Sequence, residues 1–414
     1  MDYQRQGNLV VQKSDPLGPP IAVGLCRNCQ AVNVGNVGQS CQLCGAAPQP
    51  DPGYNVVNLS QPRGFRTWYG RQHDFDGNFE WMPRATHPRI GINQLNMTAV
   101  PNRNCEIWNG QDLIYVVNDN NGALFRFEKL ANQETWATRE SLQRVGVNNP
   151  SVGGGPDLRA LASIEKTDVL VLGICSWPPW VQASPIGDAG LATRAAVYSL
   201  GFLLRRAAVT LLDIGEQELH VGMRPMQDPN GFIAGQVFIS DSLENGAGYS
   251  SYFDTPAQIE ALLGYVTGQS SSDFYGPLVH ASHADVCPTS CPDCLRDFGN
   301  LPYHNILDWR LGLDLARLAL DPQAPIDFSV SYWLGLDAAA GAAYFGAMPG
   351  WYHGYFHGVY AGRRGNKLMI ITHPLWREDA GNPGPHLAPA CAQALAQGLQ
   401  TEFKSIFEVY RRPY

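Results

Sequence analysis

Charge is what this 414-residue sequence has least of. Asp, Glu, Lys and Arg make up 16% of it, against roughly 25% in an average globular chain. Lysine is nearly missing: of 29 basic residues only Lys13, Lys129, Lys166, Lys367 and Lys404 are not arginine. Arginine suits planar two-point contacts to phosphate and guanine. The same bias, with many Ala, Gly and Pro, also follows from a GC-rich genome, and that explanation suffices. The balance is acidic, 37 Asp and Glu giving a formal charge of −8. A chain that holds nucleic acid by bulk charge is basic, so any such contact here has to come from a local patch or a partner.

Long apolar runs are missing too. The longest stretch without Asp, Glu, Lys or Arg, Ala338 to Gly362, carries Pro349, His353, His357 and six glycines, a poor match to a membrane helix of about 20 apolar residues. Glycines 346, 350, 354, 358 and 362 would each weaken a helix by about 1 kcal/mol, so loop and strand are expected there. Met1 to Arg5 lacks the apolar core of a signal peptide. The expectation is a cytoplasmic chain with no membrane contact.

Catalytic signatures are equally scarce. There is no Gly-x4-Gly-Lys-Ser/Thr phosphate loop, no acidic helicase-type magnesium box, and no Gly-x-Gly-x2-Gly after a strand, which excludes NTP hydrolysis on the usual plan. A restriction-type nuclease needs an acid and then Asp/Glu-x-Lys on neighbouring strands. Asp327 precedes one C-terminal strand pattern, but the next carries Ile371-Thr-His373. No serine elbow occurs, and His373 has no evident partner in the sequence. A non-catalytic chain is expected, with a divergent metal-dependent nuclease around Asp327 and His373, or a protein-only scaffold, as the alternatives.

Against these absences stand ten cysteines, seven of them in two clusters. The first is Cys26-x2-Cys29-x11-Cys41-x2-Cys44. Two CxxC knuckles let four thiolates approach one cation while backbone amides face the sulfurs, and four thiolates at tetrahedral distances suit Zn²⁺. Paired disulfides are the alternative, and a reducing compartment argues against them. The second cluster, Cys287-Pro-Thr-Ser-Cys291-Pro-Asp-Cys294, lacks one ligand. His283 is the preferred fourth; His280, Cys175 and Cys391 are the other candidates. Closed four-ligand sites are structural, so two structural zinc sites are expected. Cys105 reads as an inert thiol.

Hydrophobic residues at 44% and aromatics at 10% supply a sizeable core and exclude a disordered chain. The expected fold is α+β and multidomain. Residues 1–20 form a flexible arm, 21–50 a zinc ribbon, and 51–150 a β-rich domain with a hairpin over Ile114–Phe127. Residues 151–320 form an α/β core with the second zinc site, and 321–414 a small C-terminal α/β unit. Within the core, Asp168–Ile174, Glu218–Gly222 and Gly235–Ser240 read as strands. Ala189–Leu212, Thr255–Gly268 and Leu307–Leu320 read as helices, the second opening on a Thr-Pro start. Phe328–Tyr332 and Leu368–Trp376 read as strands and Pro389–Tyr410 as a helix. Two basic clusters are candidate DNA contacts: Arg63, Arg66 and Arg71 among aromatics, and Arg363, Arg364 and Lys367 at a turn. Each is also what an ordinary solvated turn looks like. Arg205-Arg206 reads as a pair opposing a helix dipole at its C-terminal end.

At this point the residues resemble a family. Asp241-Ser-Leu-Glu-Asn-Gly-Ala-Gly-Tyr249, with Cys287-x3-Cys291-Pro-x-Cys294-Leu295, resembles the MrfA-type zinc-binding domain at the C-terminus of certain superfamily 2 DNA helicases. Pro62 to Thr67, Asn300 to Leu315 and His373-Pro-Leu-Trp376 are similar to the DrmB family, the non-helicase partners in the DISARM anti-phage system. The resemblance implies a helicase-associated subunit in antiviral defence, one that sits beside a superfamily 2 motor and contacts DNA. Relatives with four cysteines at the second site leave the ligand set here an open point.

Overall fold

In a computed structural model the described residues are 3–6, 9–12, 17–35, 37–48, 53–62, 87–91, 98–99, 103–129, 136–138, 155–227 and 231–411. The chain divides into two compact units, residues 1–93 with 112–166 and residues 94–111 with 167–414. The architecture is mixed α+β, with a cysteine ribbon in the first unit and a second cluster within the α/β core of the other.

The first unit is built of strands. β1 (Tyr3–Gln6) and β2 (Leu9–Gln12) pair antiparallel, in the stretch that the sequence reading leaves as a flexible arm. β3 (Ile21–Cys26) pairs antiparallel with both β4 (Val32–Asn33) and β5 (Tyr54–Ser60). The ribbon is therefore continuous with the sheet that follows it rather than a segment ending near residue 50. β6 (His87–Ile90) pairs with the far end of β8 (Cys105–Asn118), whose near end pairs with β7 (Thr98–Ala99) in the second unit. β9 (Phe125–Lys129) lies between β10 (Trp136–Thr138) and β11 (Asp157–Ile174). Val23 and Leu25, Val57 and Leu59, Tyr115 and Val117, and Ala160 and Ala162 are buried together. This period of two is what sheets with one buried face require.

The expected hairpin over Ile114–Phe127 forms its two strands but not its ladder, since β9 bonds to β10 and β11 instead. The connection closes on itself. Gly122 and Leu124 both donate their N–H to the Asp119 carbonyl, and Asn120, Gly122 and Leu124 are left-handed. Such a loop redirects the chain where a two-residue turn would fold it straight back.

In the second unit, β12 (Leu219–Gln227) and β13 (Ile233–Asp241) form an antiparallel pair, and β13 also pairs with the buried end of β11. α1 (Leu191–Leu212) packs on β12 and β13. It is long and apolar enough to cross a membrane, yet 72% of its most apolar window is buried inside the protein. α2 (Pro256–Thr267) starts on a capping box, Thr255 with Gln258, and ends at left-handed Gly268, as the Thr-Pro signal predicts. α3 (Ser272–Val279) and the one-turn α4 (Ala281–Ala284) lead into the second cysteine cluster. α5 (Trp309–Leu320) then crosses α1 closely: a Cβ on Gly312 would stand 2.7 Å from Leu203 Cδ1 and 2.9 Å from the Ser199 carbonyl carbon.

The C-terminal part has α6 (Leu336–Gly346), then β14 (Tyr352–Phe356), β15 (Val359–Arg364) and β16 (Lys367–Thr372), then α7 (Ala388–Ala396), β17 (Gln400–Ser405) and α8 (Ile406–Arg411). The strands lie in the order β14-β15-β16-β17, with β16 and β17 parallel. Three local expectations are corrected here. Phe328–Tyr332 is a turn, because the Asp327 carboxylate accepts both the N–H and the hydroxyl of Ser329 and folds the chain back. The helix expected over Pro389–Tyr410 is interrupted by β17, since left-handed Gly398 ends α7 and the next residues complete the sheet. The glycine-rich stretch begins as helix, because Gly341 lets Tyr360 approach to where its Cδ1 would be 2.4 Å from a Cβ. Close packing there outweighs the weak helix propensity of glycine.

Candidate metal centres

The first centre grows from two tight turns. Cys26 ends β3, and its N–H returns to the Ala31 carbonyl at 2.9 Å across a turn with left-handed Gln30. Cys41 repeats the arrangement: its N–H meets the Ala46 carbonyl at 2.9 Å, with Gly45 left-handed. These knuckles aim sulfurs inward and amides at sulfur, as Cys29 N–H does toward Cys26 Sγ at 3.5 Å. Cys26 Sγ stands 3.6 Å from Cys44 Sγ, and Cys29 Sγ 3.7 Å from Cys41 Sγ. A disulfide would need about 2.05 Å. A tetrahedron of thiolates with bonds of about 2.3 Å to a central Zn²⁺ has edges of about 3.8 Å. The spacing fits a caged cation and excludes a disulfide.

Polar neighbours complete the cage. The Asn28 amide donates to Cys44 Sγ and the buried Asn33 amide to Cys41 Sγ, each at 3.6 Å, while Gln42 N–H fixes Asn33 through its Oδ1 at 2.7 Å. Hydrogen bonds from Cys26 and Cys29 pull the Cys41 thiol far below the ordinary thiol range, and those from Cys26 and Cys41 drive Cys29 far above it. Crowded sulfurs thus share protons, and a divalent ion displaces them.

The second centre joins His283, Cys287, Cys291 and Cys294, whose ligand atoms lie within 4.8 Å of one another, as do those of the first four cysteines. Cys287 Sγ is 3.8 Å from Cys294 Sγ, and Cys291 Sγ is 3.4 Å from His283 Nε2. His283 Nδ1 lies 2.7 Å from the Leu278 carbonyl. That carbonyl needs a donor, so Nδ1 carries the proton and Nε2 turns its lone pair to the sulfurs, the outer-shell arrangement of a ligating imidazole. Hydrogen bonding to Cys287 holds the Cys294 thiol at about 5, and its partner Cys287 is pushed far up. His280 is occupied elsewhere, capping α4 through Ser282. Cys175 is exposed, and Cys391 is buried against the C-terminal sheet. Four ligands around one tetrahedral ion would leave no open position for a substrate water.

Side chains of α1 and α5 surround the second centre, and sequence reasoning missed them. Arg310 is buried and donates to four carbonyls: Cys287 at 3.3 Å, Pro288 at 2.9 Å, Ala284 at 3.1 Å and Tyr332 at 2.9 Å. Its guanidinium lies 4.2 Å over the Trp309 ring, and Trp309 Nε1 also donates to the Cys287 carbonyl at 3.2 Å. Arg206 donates to the Cys294 carbonyl at 2.5 Å, and the buried Arg205 pairs with Asp297. This corrects the helix-dipole reading, since α1 runs on to Leu212, Arg206 serves the cluster loop itself and Arg205 holds Asp297 just beyond it. Nothing local in the sequence marks them, since Arg310 lies 23 residues from Cys287 and Arg206 88 from Cys294.

The Gly-Ala-Gly turn is organised by Asp241. Its buried carboxylate accepts the N–H groups of Ala247, Tyr249 and Ser250 at 2.7–3.1 Å and the Ser250 hydroxyl at 2.6 Å. Gly246 is left-handed, and a Cβ there would stand 2.2 Å from Asp168 Oδ2. Of the basic clusters, Arg63, Arg66 and Arg71 lie outside the described residues. Arg363, Arg364 and Lys367 come together, exposed, at the β15–β16 turn, where Lys367 pairs with Glu402 at 2.6 Å. Asp327 and His373 form no metal group. His373 Nε2 faces Asp314 Oδ2 at 3.2 Å with both side chains fully buried, and Asp327 lies 3.7 Å from His386 Nε2.

No family model and no curated protein matches this chain. Among solved structures, the crystal structure of the DUF1998 helicase MrfA bound to DNA matches 54% of this chain and 24% of its own, at 10% identity. The TM-score is 0.30, a likeness too slight to carry the fold.

Proposed function

We propose that the chain is a non-catalytic, zinc-stapled subunit of a helicase-containing anti-phage complex of the DISARM type, contacting a superfamily 2 motor and DNA. The observation that carries the reading is the pair of closed four-ligand centres in a chain without nucleotide-hydrolysis motifs. Such a chain spends its metal on shape and lends that shape to an assembly. The motor and the defence role rest on the sequence resemblance, whose Asp241–Tyr249 and Asp308–Arg310 segments organise the turn and the second centre. The exposed Arg363 and Arg364 are the described candidates for phosphate contact.

The test is a nuclease-treated affinity pull-down from the native host with mass spectrometry. A stoichiometric superfamily 2 helicase supports the reading, and its absence overturns it. A mobility-shift titration over a salt series checks the DNA contact. Changing Arg363 and Arg364 to Ala lowers the slope of log affinity against log salt by about 0.9 per lost phosphate contact on duplex DNA, and an unchanged slope removes this turn from the interface. Plasmid incubated with Mg²⁺ or Mn²⁺ stays intact; cleavage abolished by Asp327→Ala would make the chain a nuclease.

A further inference from the structure

Trp177-Pro-Pro-Trp180 belongs to neither metal centre. Pro178 and Pro179 restrict the backbone between the two indoles, and three segments of the second unit meet there around a cavity of about 500 Å³. Its walls include Trp177, Trp180, Pro322, Pro325, Asp327 and His386. The walls are fixed from behind. Arg377 N–H donates to the Trp180 carbonyl at 2.8 Å, and Gln182 N–H to the Leu375 carbonyl at 2.7 Å. Gly384 lies so close that a Cβ would stand 2.4 Å from Trp180 Cβ. Trp376 Nε1 donates to the Ile326 carbonyl at 2.8 Å, holding the Asp327 loop. His386 stacks on Trp376 with centroids 4.8 Å apart and planes 4° from parallel, and meets Trp180 edge-on at 6.0 Å.

The electrostatics are one-sided. Among the described residues no Lys or Arg lines the cavity, and its one carboxylate is Asp327. The Asp327 side chain retains 17% of its exposure. Its Oδ1 is used by Ser329, while Oδ2 has His386 Nε2 at 3.7 Å. Burial pushes His386 below its ordinary value, so near neutral pH the carboxylate faces an uncharged ring. Aromatic walls, proline surfaces and one unbalanced carboxylate attract a cation that sheds water easily. A bare ammonium or a metal ion would lose its hydration shell to apolar walls at high cost.

We propose that this cavity is a binding site for an alkylated ammonium ion, with Trp177, Trp180 and His386 as its aromatic walls and Asp327 as its counter-charge. The same chemistry is offered by a free small molecule and by a trimethylated lysine side chain of a protein. The site is independent of the assembly role proposed above.

Calorimetric titration of the full, metal-loaded chain tests it. The probes are choline, its neutral isostere 3,3-dimethyl-1-butanol, a trimethyl-lysine peptide, and the same peptide unmodified. Choline is expected to bind at least tenfold more tightly than the isostere, and the methylated peptide more tightly than the unmodified one. Asp327→Asn is expected to abolish both preferences. Trp180→Leu weakens every probe, and Trp177→Leu, which leaves the Asp327 turn intact, does the same should Asp327→Asn fail to fold. Either ranking of choline against the methylated peptide supports the site and identifies the source. Equal binding of choline and isostere, a preference that survives in folded Asp327→Asn, or no saturable binding of choline or the methylated peptide overturns it.

Discussion

The two candidate metal centres each gather four ligand atoms, four sulfurs in the first and three sulfurs with the His283 nitrogen in the second, and they differ in what holds them. The first is made almost wholly by its own backbone: two knuckles, the amides within them, and the short side chains of Asn28 and Asn33. The second is embedded. Cys287 and Cys294 belong to the large core that α1, α2 and α5 build, and Arg310, Trp309 and Arg206 reach across to its loop carbonyls. A knuckle pair can be read from spacing alone because all its parts are local. An embedded centre ties its metal to the fold of a whole unit, and losing the ion there has further to spread.

The sharpest way to break this comparison is to remove one ligand from each centre. Structural zinc contributes on the order of 10 kcal/mol to small domains that fold around it. Cys287→Ser is expected to lower metal content from two ions to one and to unfold the second unit, abolishing its melting transition. Cys41→Ser is expected to lose one ion as well, but to open only the ribbon, leaving that transition in place. Metal analysis with calorimetric melting and limited proteolysis decides it. Equal damage from the two variants would show that the centres are not held differently.

A smaller effect sharpens the contrast from the protein side. Arg310→Met keeps the length and packing of the side chain but removes its donors to four carbonyls, of which only the Cys287 carbonyl keeps another, Trp309 Nε1. Each buried acceptor left without a donor costs about 1–3 kcal/mol, and partial relaxation brings the expected loss to about 3–5 kcal/mol. Arg206→Met removes donors to only two, the Cys294 and Pro292 carbonyls, on a partly exposed side chain, so about 1 kcal/mol is expected. Denaturant midpoints at constant slope measure both. A loss from Arg310→Met no larger than that from Arg206→Met would mean that the cluster carries itself.

These magnitudes also explain what could be read in advance. Cysteine spacing, the Thr255-Pro start of α2 and the strands of the core are local signals, each within a few residues of its cause, and they are visible in the sequence. The support of the second centre is not: Arg310 is 23 residues from Cys287, and Arg206 is 88 from Cys294. Only the packing of α1 against α5 brings them to one loop. The same limit explains Pro389–Tyr410, which has helical periodicity throughout but gives up six residues to β17 because the parallel neighbour β16 lies 33 positions earlier. Tertiary pairing outweighs local preference at such points.

The last prediction separates the centres by pH and concerns Asp308, which starts α5 by accepting Arg310 N–H at 3.2 Å and lies 3.7 Å from Arg411. Burial raises its carboxyl to about 6 against an ordinary 3.8, despite the nearby Arg411 and Arg310. A folded-state value above the unfolded one means that the protonated form is favoured in the fold. Its stabilising contribution is complete below about 4 and is lost as pH rises to about 6, an effect of at most about 3 kcal/mol. Thiolate protonation acts in the opposite sense, since acid competes with the metal at both centres. Asp308→Asn keeps the cap and removes the titration. Subtracting the variant's stability curve from that of the parent cancels the metal terms and leaves Asp308 alone. The difference should favour the parent most at low pH and shrink between about pH 4 and 6, and Cys41→Ser in both backgrounds should leave it unchanged. A difference that follows the state of the first centre would mean that acid acts on this chain as one unit, not through two centres held by different means.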